Sequence, residues 1–179
     1  MSKPLQANSM NMQAFAESGV PIEQATPLQN LERLTHESNG LQPDSYVNWQ
    51  AVAELRTGSA PQPDIWLHLT AETSVLLTCQ RCMGVVQIPL TVDQWYRFVA
   101  SEEIAMSQDD ASVEDLLVLA PQFDLGAVLE DELLMALPLV PMHSECPVLP
   151  AFRSGVIDEP AFAEEKPNPF AALAALKKK

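Results

Sequence analysis

Residues 45–56 read SYVNWQAVAELR, and they decide the fold. Val47, Trp49, Ala51, Ala53 and Leu55 alternate with polar or small residues, the period of two that marks a strand with one buried face. A turn-forming stretch, GSAPQPD (58–64), follows. Beyond it Ile65, Leu67, Leu69, Val75 and Leu77 make a second run without Gly, Pro or Asn in its middle, as one long bent strand requires. The third run, Val85 to Val99, holds Val86, Ile88, Val92, Trp95, Tyr96 and Phe98. Pro89 lies inside it and demotes that part to an edge or a bulge, because proline brings no N–H to a ladder. Three successive strands with short connections predict an antiparallel meander. On this pattern Trp49, Trp66, Trp95, Tyr96 and Arg97 fall mostly where a core is expected.

Outward from the sheet the period changes. In FDLGAVLEDELLMALP, Asp124 is a good N-cap, and Leu125, Val128, Leu129, Leu133, Ala136 and Leu137 recur at three- and four-residue steps. Pro138 and Pro141 stop this helix, expected near 124–137, whose task is to cover the sheet. The fold class is therefore α+β: a mainly antiparallel meander under one helix. Leu28, Leu31 and Leu34 suit a weak helical turn or an extended start to the sheet, and LLVLAP after residue 115 suits a further strand. The segment SEEIAMSQDDASVED (101–115) carries six acidic residues and no basic one, the composition of a solvated loop. The expected organisation is a flexible N-terminal segment over 1–27, a single domain over 28–150, and a linker with a C-terminal docking segment over 151–179.

That last stretch ends KPNPFAALAALKKK. Asn168 can cap, Pro169 fits the first helical position, and Phe170, Leu173 and Ala174 line one face. Lys177–Lys179 complement the negative end of a helix dipole. A helix this short needs a surface to form on. Lys166, Asn168, Phe170, Leu173, Leu176 and Lys177 are thus expected to bind a partner, with a frayed tail as the competing reading.

The chain has 179 residues, enough for one cored domain, and no apolar run near the ~18–20 residues that cross a bilayer. Its start lacks the apolar stretch of a secretory signal, which makes the cytoplasm the expected address. The 24 acidic residues against 10 basic ones give a formal charge of -14. Such a chain is repelled by phosphate at long range, and a basic protein is its better partner; the same charge also serves plain solubility.

Cys79-Gln80-Arg81-Cys82-Met83-Gly84 falls between two expected strands. A two-residue gap points both thiols to one side of a tight turn, and the following glycine permits a left-handed backbone there. A redox pair belongs at a helix N-terminus, which this is not. His143 and Cys146 supply the other half of a Cys₃His set for structural zinc; the alternative is three reduced cysteines filling turn and core positions. The odd cysteine count argues against a disulfide framework. No GxGxxG, P-loop, GxSxG or HExxH occurs, and no nucleophile, base and oxyanion donor assemble. Glu130, Asp131 and Glu132 occupy consecutive helical positions and cannot all face one Mg²⁺. The chain reads as a non-enzyme.

Three blocks in order, CQRC at 79–82, DLGAVLEDELLMALPLVPMHSEC at 124–146 and KPNPFAALAALKKK at 166–179, resemble the YceD family, in the form of its proteobacterial members. The likeness spans about residues 45–179 and is loose before them. It implies a factor for the synthesis, processing or stability of large-subunit (23S) ribosomal RNA, acting in ribosome biogenesis; family members are commonly encoded beside a large-subunit ribosomal protein. Some relatives carry a second paired-cysteine motif after the helix, where this chain has His143 and Cys146. With the charge, the resemblance points to an acidic adaptor for a ribosomal protein or assembly factor, with RNA contact indirect. The runner-up is a direct RNA-binding module with a zinc knuckle.

Overall fold

Alternation carries the sheet into place as expected. The computed structural model describes residues 9–42, 44–57 and 63–147, and the elements run α1 (Met12–Ser18), β1 (Ile22–Pro27), a 3₁₀ turn (Leu28–Asn30), α2 (Glu32–Glu37), β2 (Tyr46–Arg56), β3 (Asp64–Thr78), β4 (Val85–Val99), α3 (Glu102–Gln108), a second 3₁₀ turn (Asp109–Ala111), β5 (Asp115–Val118) and α4 (Leu125–Met135). One five-stranded sheet follows chain order, β1-β2-β3-β4-β5. The first three pairings are antiparallel and the last, β4 with β5, is parallel. β5 pairs only with Tyr96–Val99, so at Pro89 β4 has a strand on one side alone, an edge position that tolerates proline's missing N–H.

Odd positions of β2 and β3 and even positions of β4 point to one face. There Val47, Ala51, Leu67, Leu69, Leu90 and Tyr96 are buried, together with Leu125, Leu129 and Leu133 of α4. Asp124 caps α4 through Oδ1, which accepts from Ala127 N at 2.9 Å. Leu28, Leu31 and Leu34 enter the same core from the 3₁₀ turn and α2.

Two expectations need redrawing. Residues 9–27 are not a flexible segment: β1 pairs along β2, α1 packs on β2 and β3, and Met10, Met12, Phe15 and Ala16 are buried. Asn11 caps α1, Gly19 ends it at φ 60°, and Met10 exchanges two backbone hydrogen bonds with Phe123. The apolar side chains are too sparse in sequence to reveal a period, yet they meet a ready surface. Segment 101–115 is likewise not one loop but α3, a 3₁₀ turn and the start of β5. Arg97 organises it: Nε donates to Glu114 Oε1 at 2.7 Å, Nη1 to Gln108 Oε1 and Nη2 to Ser112 Oγ, each at 3.0 Å. The domain boundary near 150 and the whole C-terminal segment, with Lys166, Asn168, Phe170, Leu173, Leu176 and Lys177, lie outside the described residues. Among the described residues no helix is long and apolar enough to cross a membrane.

Candidate metal centre

The β3–β4 hairpin closes through six residues. Cys79 N donates to Gly84 O at 2.8 Å and Met83 N to Cys79 O at 2.9 Å. The left-handed residue of the turn is Met83, at φ 60°, and not the glycine after it. Gly84 instead lies beside the cluster, where an added Cβ would meet Cys82 Sγ at an ordinary 3.5 Å. After α4 the chain turns back along this hairpin. Gln80 N donates to Pro141 O at 2.9 Å, which lays residues 141–146 across the turn.

That return brings His143 and Cys146 to the paired cysteines, over sixty residues away in sequence. One donor atom from each of Cys79, Cys82, His143 and Cys146 lies within 4.8 Å of all the others. Cys79 Sγ and Cys146 Sγ are 3.9 Å apart, and Cys82 Sγ is 3.4 Å from His143 Nδ1. A tetrahedral zinc with bonds near 2.3 Å to sulfur and 2.0–2.1 Å to nitrogen separates its ligands by about 3.5–3.8 Å, so the residues present fit the ion. His143 Nε2 donates to Val85 O at 3.0 Å, which leaves Nδ1 with its lone pair turned to the sulfurs.

The electrostatics are consistent with a cation's place. Burial pushes the Cys79 thiol up, but backbone N–H groups of Cys82, His143 and Arg81 aimed at the sulfur outweigh it and hold it down to about 5. Burial, then the neighbouring Cys82 and Cys79 sulfurs, push Cys146 up to about 11. A first thiolate forms easily and a third is opposed, the balance expected where three sulfurs converge without a positive charge. All three cysteines are free thiols.

The remaining predicted groups separate. Of the three consecutive carboxylates on α4, Glu130 Oε1 accepts from the backbone N–H of Arg33 at 2.7 Å and of Leu34 at 3.2 Å, and Oε2 from Arg33 Nε at 3.0 Å. It thereby caps α2, whose own N-cap, Leu31, has no side-chain acceptor. Asp131 takes Arg33 Nη1. Glu132 is buried, and with burial its carboxylate drives the Tyr96 phenol well above its usual range. These positions do not share an ion, as their helical spread predicts.

Trp66, Trp95 and Arg97 lie on the sheet face opposite α4, contrary to the core position expected of them; Trp49 and Tyr96 are in the core. A cross-strand ladder runs there. Asp93 Oδ1 meets His68 Nε2 at 2.7 Å, the His68 ring stacks on Trp95 with centroids 4.2 Å apart, and the Arg56 guanidinium lies 4.2 Å from the Trp95 centroid and 4.3 Å from that of Trp66. Sequence alternation already contained this face, since these are the even positions of β3 and odd positions of β4.

The family model described as "Large ribosomal RNA subunit accumulation protein YceD" matches residues 67–177. The chain belongs to the YceD family. A relative of the same description from Haemophilus influenzae is 36% identical over 122 residues, 66% of this chain and 69% of that protein. No solved structure matches. The YceD match takes in the hairpin, α4 and the returning segment, and so all four members of the Cys₃His cluster.

Proposed function

We propose that this YceD-family chain is a non-enzymatic cytoplasmic factor in ribosome biogenesis, required for accumulation of 23S ribosomal RNA, and that it acts as an acidic adaptor for a basic ribosomal protein or assembly factor. The family match supports the role in large-subunit ribosomal RNA accumulation. The adaptor reading is supported by the fate of segment 101–115. Arg97 anchors it through Glu114, while Glu102, Glu103, Asp109 and Asp110 stay exposed and have no salt-bridge partner among the described residues. Displayed charge of one sign steers a partner of the other and raises its capture rate. Residues 166–179 supply the second contact, with Phe170, Leu173 and Leu176 seated on the partner and Lys166, Asn168 and Lys177 framing them.

Zinc held by Cys79, Cys82, His143 and Cys146 is the structural element of this reading. When bound it supplies cross-linking of the hairpin to the segment after α4 and no chemistry on a substrate, because all four ligands come from the protein. Metal analysis of protein purified without chelator should give one zinc per chain, and Cys79→Ser with Cys82→Ser none.

Direct RNA binding draws support from the outward Trp66 and Trp95, but Arg56 and His68 already cover much of their rings, and base stacking needs an open ring face. The deciding experiment is a pull-down of tagged full-length protein at low and moderate salt, with and without nuclease. Basic ribosomal or assembly proteins retained after nuclease support the adaptor. Loss of every partner on nuclease treatment replaces it with direct RNA binding.

A further inference from the structure

α1, α2 and α4 cover one face of the sheet, while on the other Arg97 holds α3 and the turn after it, and the ladder of Trp66, His68, Trp95 and Arg56 lies at the same end. Beyond it a groove of ≈ 730 Å³ crosses β1 to β4. Pairing puts Glu23, Gln50, Thr70 and Asp93 in one row of this face and Ala25, Asn48, Glu72 and Thr91 in the next. Three carboxylates and several amides and hydroxyls thus face outward, and no lysine, arginine or histidine lines the groove. Glu23 accepts from Gln50 Nε2 and Asp93 is met by His68, while Glu72 is exposed with no side-chain partner among the described residues.

We infer that this groove is the seat of an extended basic segment of the protein partner, a proposal that rests on the adaptor reading. Spacing and charge both select that occupant. Strands lie about 4.8 Å apart, so Glu23 on β1 and Asp93 on β4 are separated by roughly 14 Å at the backbone. An extended chain advances about 3.4 Å per residue and places side chains i and i+4 on one side at nearly that distance, with i+2 between them. Arginine or lysine at i and i+4 therefore meets Glu23 and Asp93, and a long side chain at i+2 reaches toward Glu72 in the neighbouring row, while the amides and hydroxyls of Asn48, Gln50, Thr70 and Thr91 serve its backbone. Arg56 shows within the fold how this face holds a guanidinium, between an adjacent carboxylate, Glu54, and two indole rings. A polyanion would meet three carboxylates and no cation, which disfavours nucleic acid here.

The probe is a fluorescein-labelled nine-residue peptide alternating arginine with threonine, titrated by anisotropy into the full chain at low salt. Wild type should bind it, and Glu23→Gln with Glu72→Gln should weaken binding at least tenfold with an unchanged melting temperature. Amide shifts should centre on Gln50, Thr70 and Thr91. Asp109→Asn with Asp110→Asn, off the groove, should change affinity less than threefold. If the off-groove pair carries the loss instead, the groove is wrong and the adaptor stands. If wild type ignores the peptide while the pull-down still retains basic proteins after nuclease, the occupant is wrong and the adaptor again stands. Retention of nothing after nuclease removes both. Two other results overturn the proposal: a labelled oligouridylate that competes with the peptide, or a tenfold gain on deleting residues 166–179, which would make the chain's own lysines the occupant.

Discussion

Two acidic stretches look alike in this sequence and behave differently in the fold. Glu130-Asp131-Glu132 and the six acids of 101–115 both read as solvated charge. In the structure the first is consumed internally: Glu130 caps α2 and pairs with Arg33, Asp131 takes the same guanidinium, and Glu132 is buried. The second keeps five of its six carboxylates exposed, four of them on α3 and its 3₁₀ turn, and only Glu114 among the six pairs with Arg97. Net charge thus measures how much charge a chain owns, and the fold decides how much it can show a partner.

The largest effect that would break this comparison is at Glu130. Glu130→Ala removes the acceptor of two backbone N–H groups and of Arg33, and should cost about 2–3 kcal/mol. Thermal unfolding should fall by roughly 4–12 °C at this size. An unchanged melting point would return Glu130 to the solvated class. Next comes Glu114→Gln, expected to cost about 1–2 kcal/mol at pH 7, since the Arg97 pair is largely buried. Burial raises the Glu114 carboxyl, but Arg97 and backbone N–H groups lower it further, so its net shift is below the usual range. A depressed folded value stabilises above the unfolded pKa of ~4.3 and loses that contribution as pH falls through the folded value. The gap between wild type and Glu114→Gln should therefore be full at pH 6–7 and narrow below pH 4 in urea titrations. Asp131→Asn should cost only about 0.5 kcal/mol, because both partners are half exposed. The smallest effect on stability belongs to Asp109→Asn with Asp110→Asn, within about 0.5 kcal/mol of wild type. Their expected loss is instead in salt-sensitive capture of the partner from lysate, and a stability loss there with capture intact would reverse the contrast.

Legibility followed the range of the interaction. Period two in 45–56, 65–77 and 85–99 announced the central strands because alternation is a local consequence of pleating, and Asp124 announced α4 because a cap needs only its own first turn. Trp66 and Trp95 were expected in the core, and the structure puts them on the outer face, at the even positions of β3 and odd positions of β4. Residues 9–27 were illegible, since Met10, Met12 and Phe15 are buried by a surface made elsewhere in the chain. The spacings of Cys79 with Cys82 and of His143 with Cys146 offered four possible metal ligands, while their meeting depends on the Gln80–Pro141 hydrogen bond that joins the hairpin to the returning chain.

The sequence by itself determined the strands, the main helix, the acidic balance and the four residues that could hold a metal. Those properties follow from neighbours a few bonds apart or from plain counting. Only the tertiary structure decided which carboxylates remain outside, which face of the sheet stays open, and that three sulfurs and an imidazole nitrogen meet within 4.8 Å. Each of these depends on contacts between segments tens of residues apart, and such contacts exist only once the backbone's hydrogen bonds and the apolar core have fixed where every strand lies.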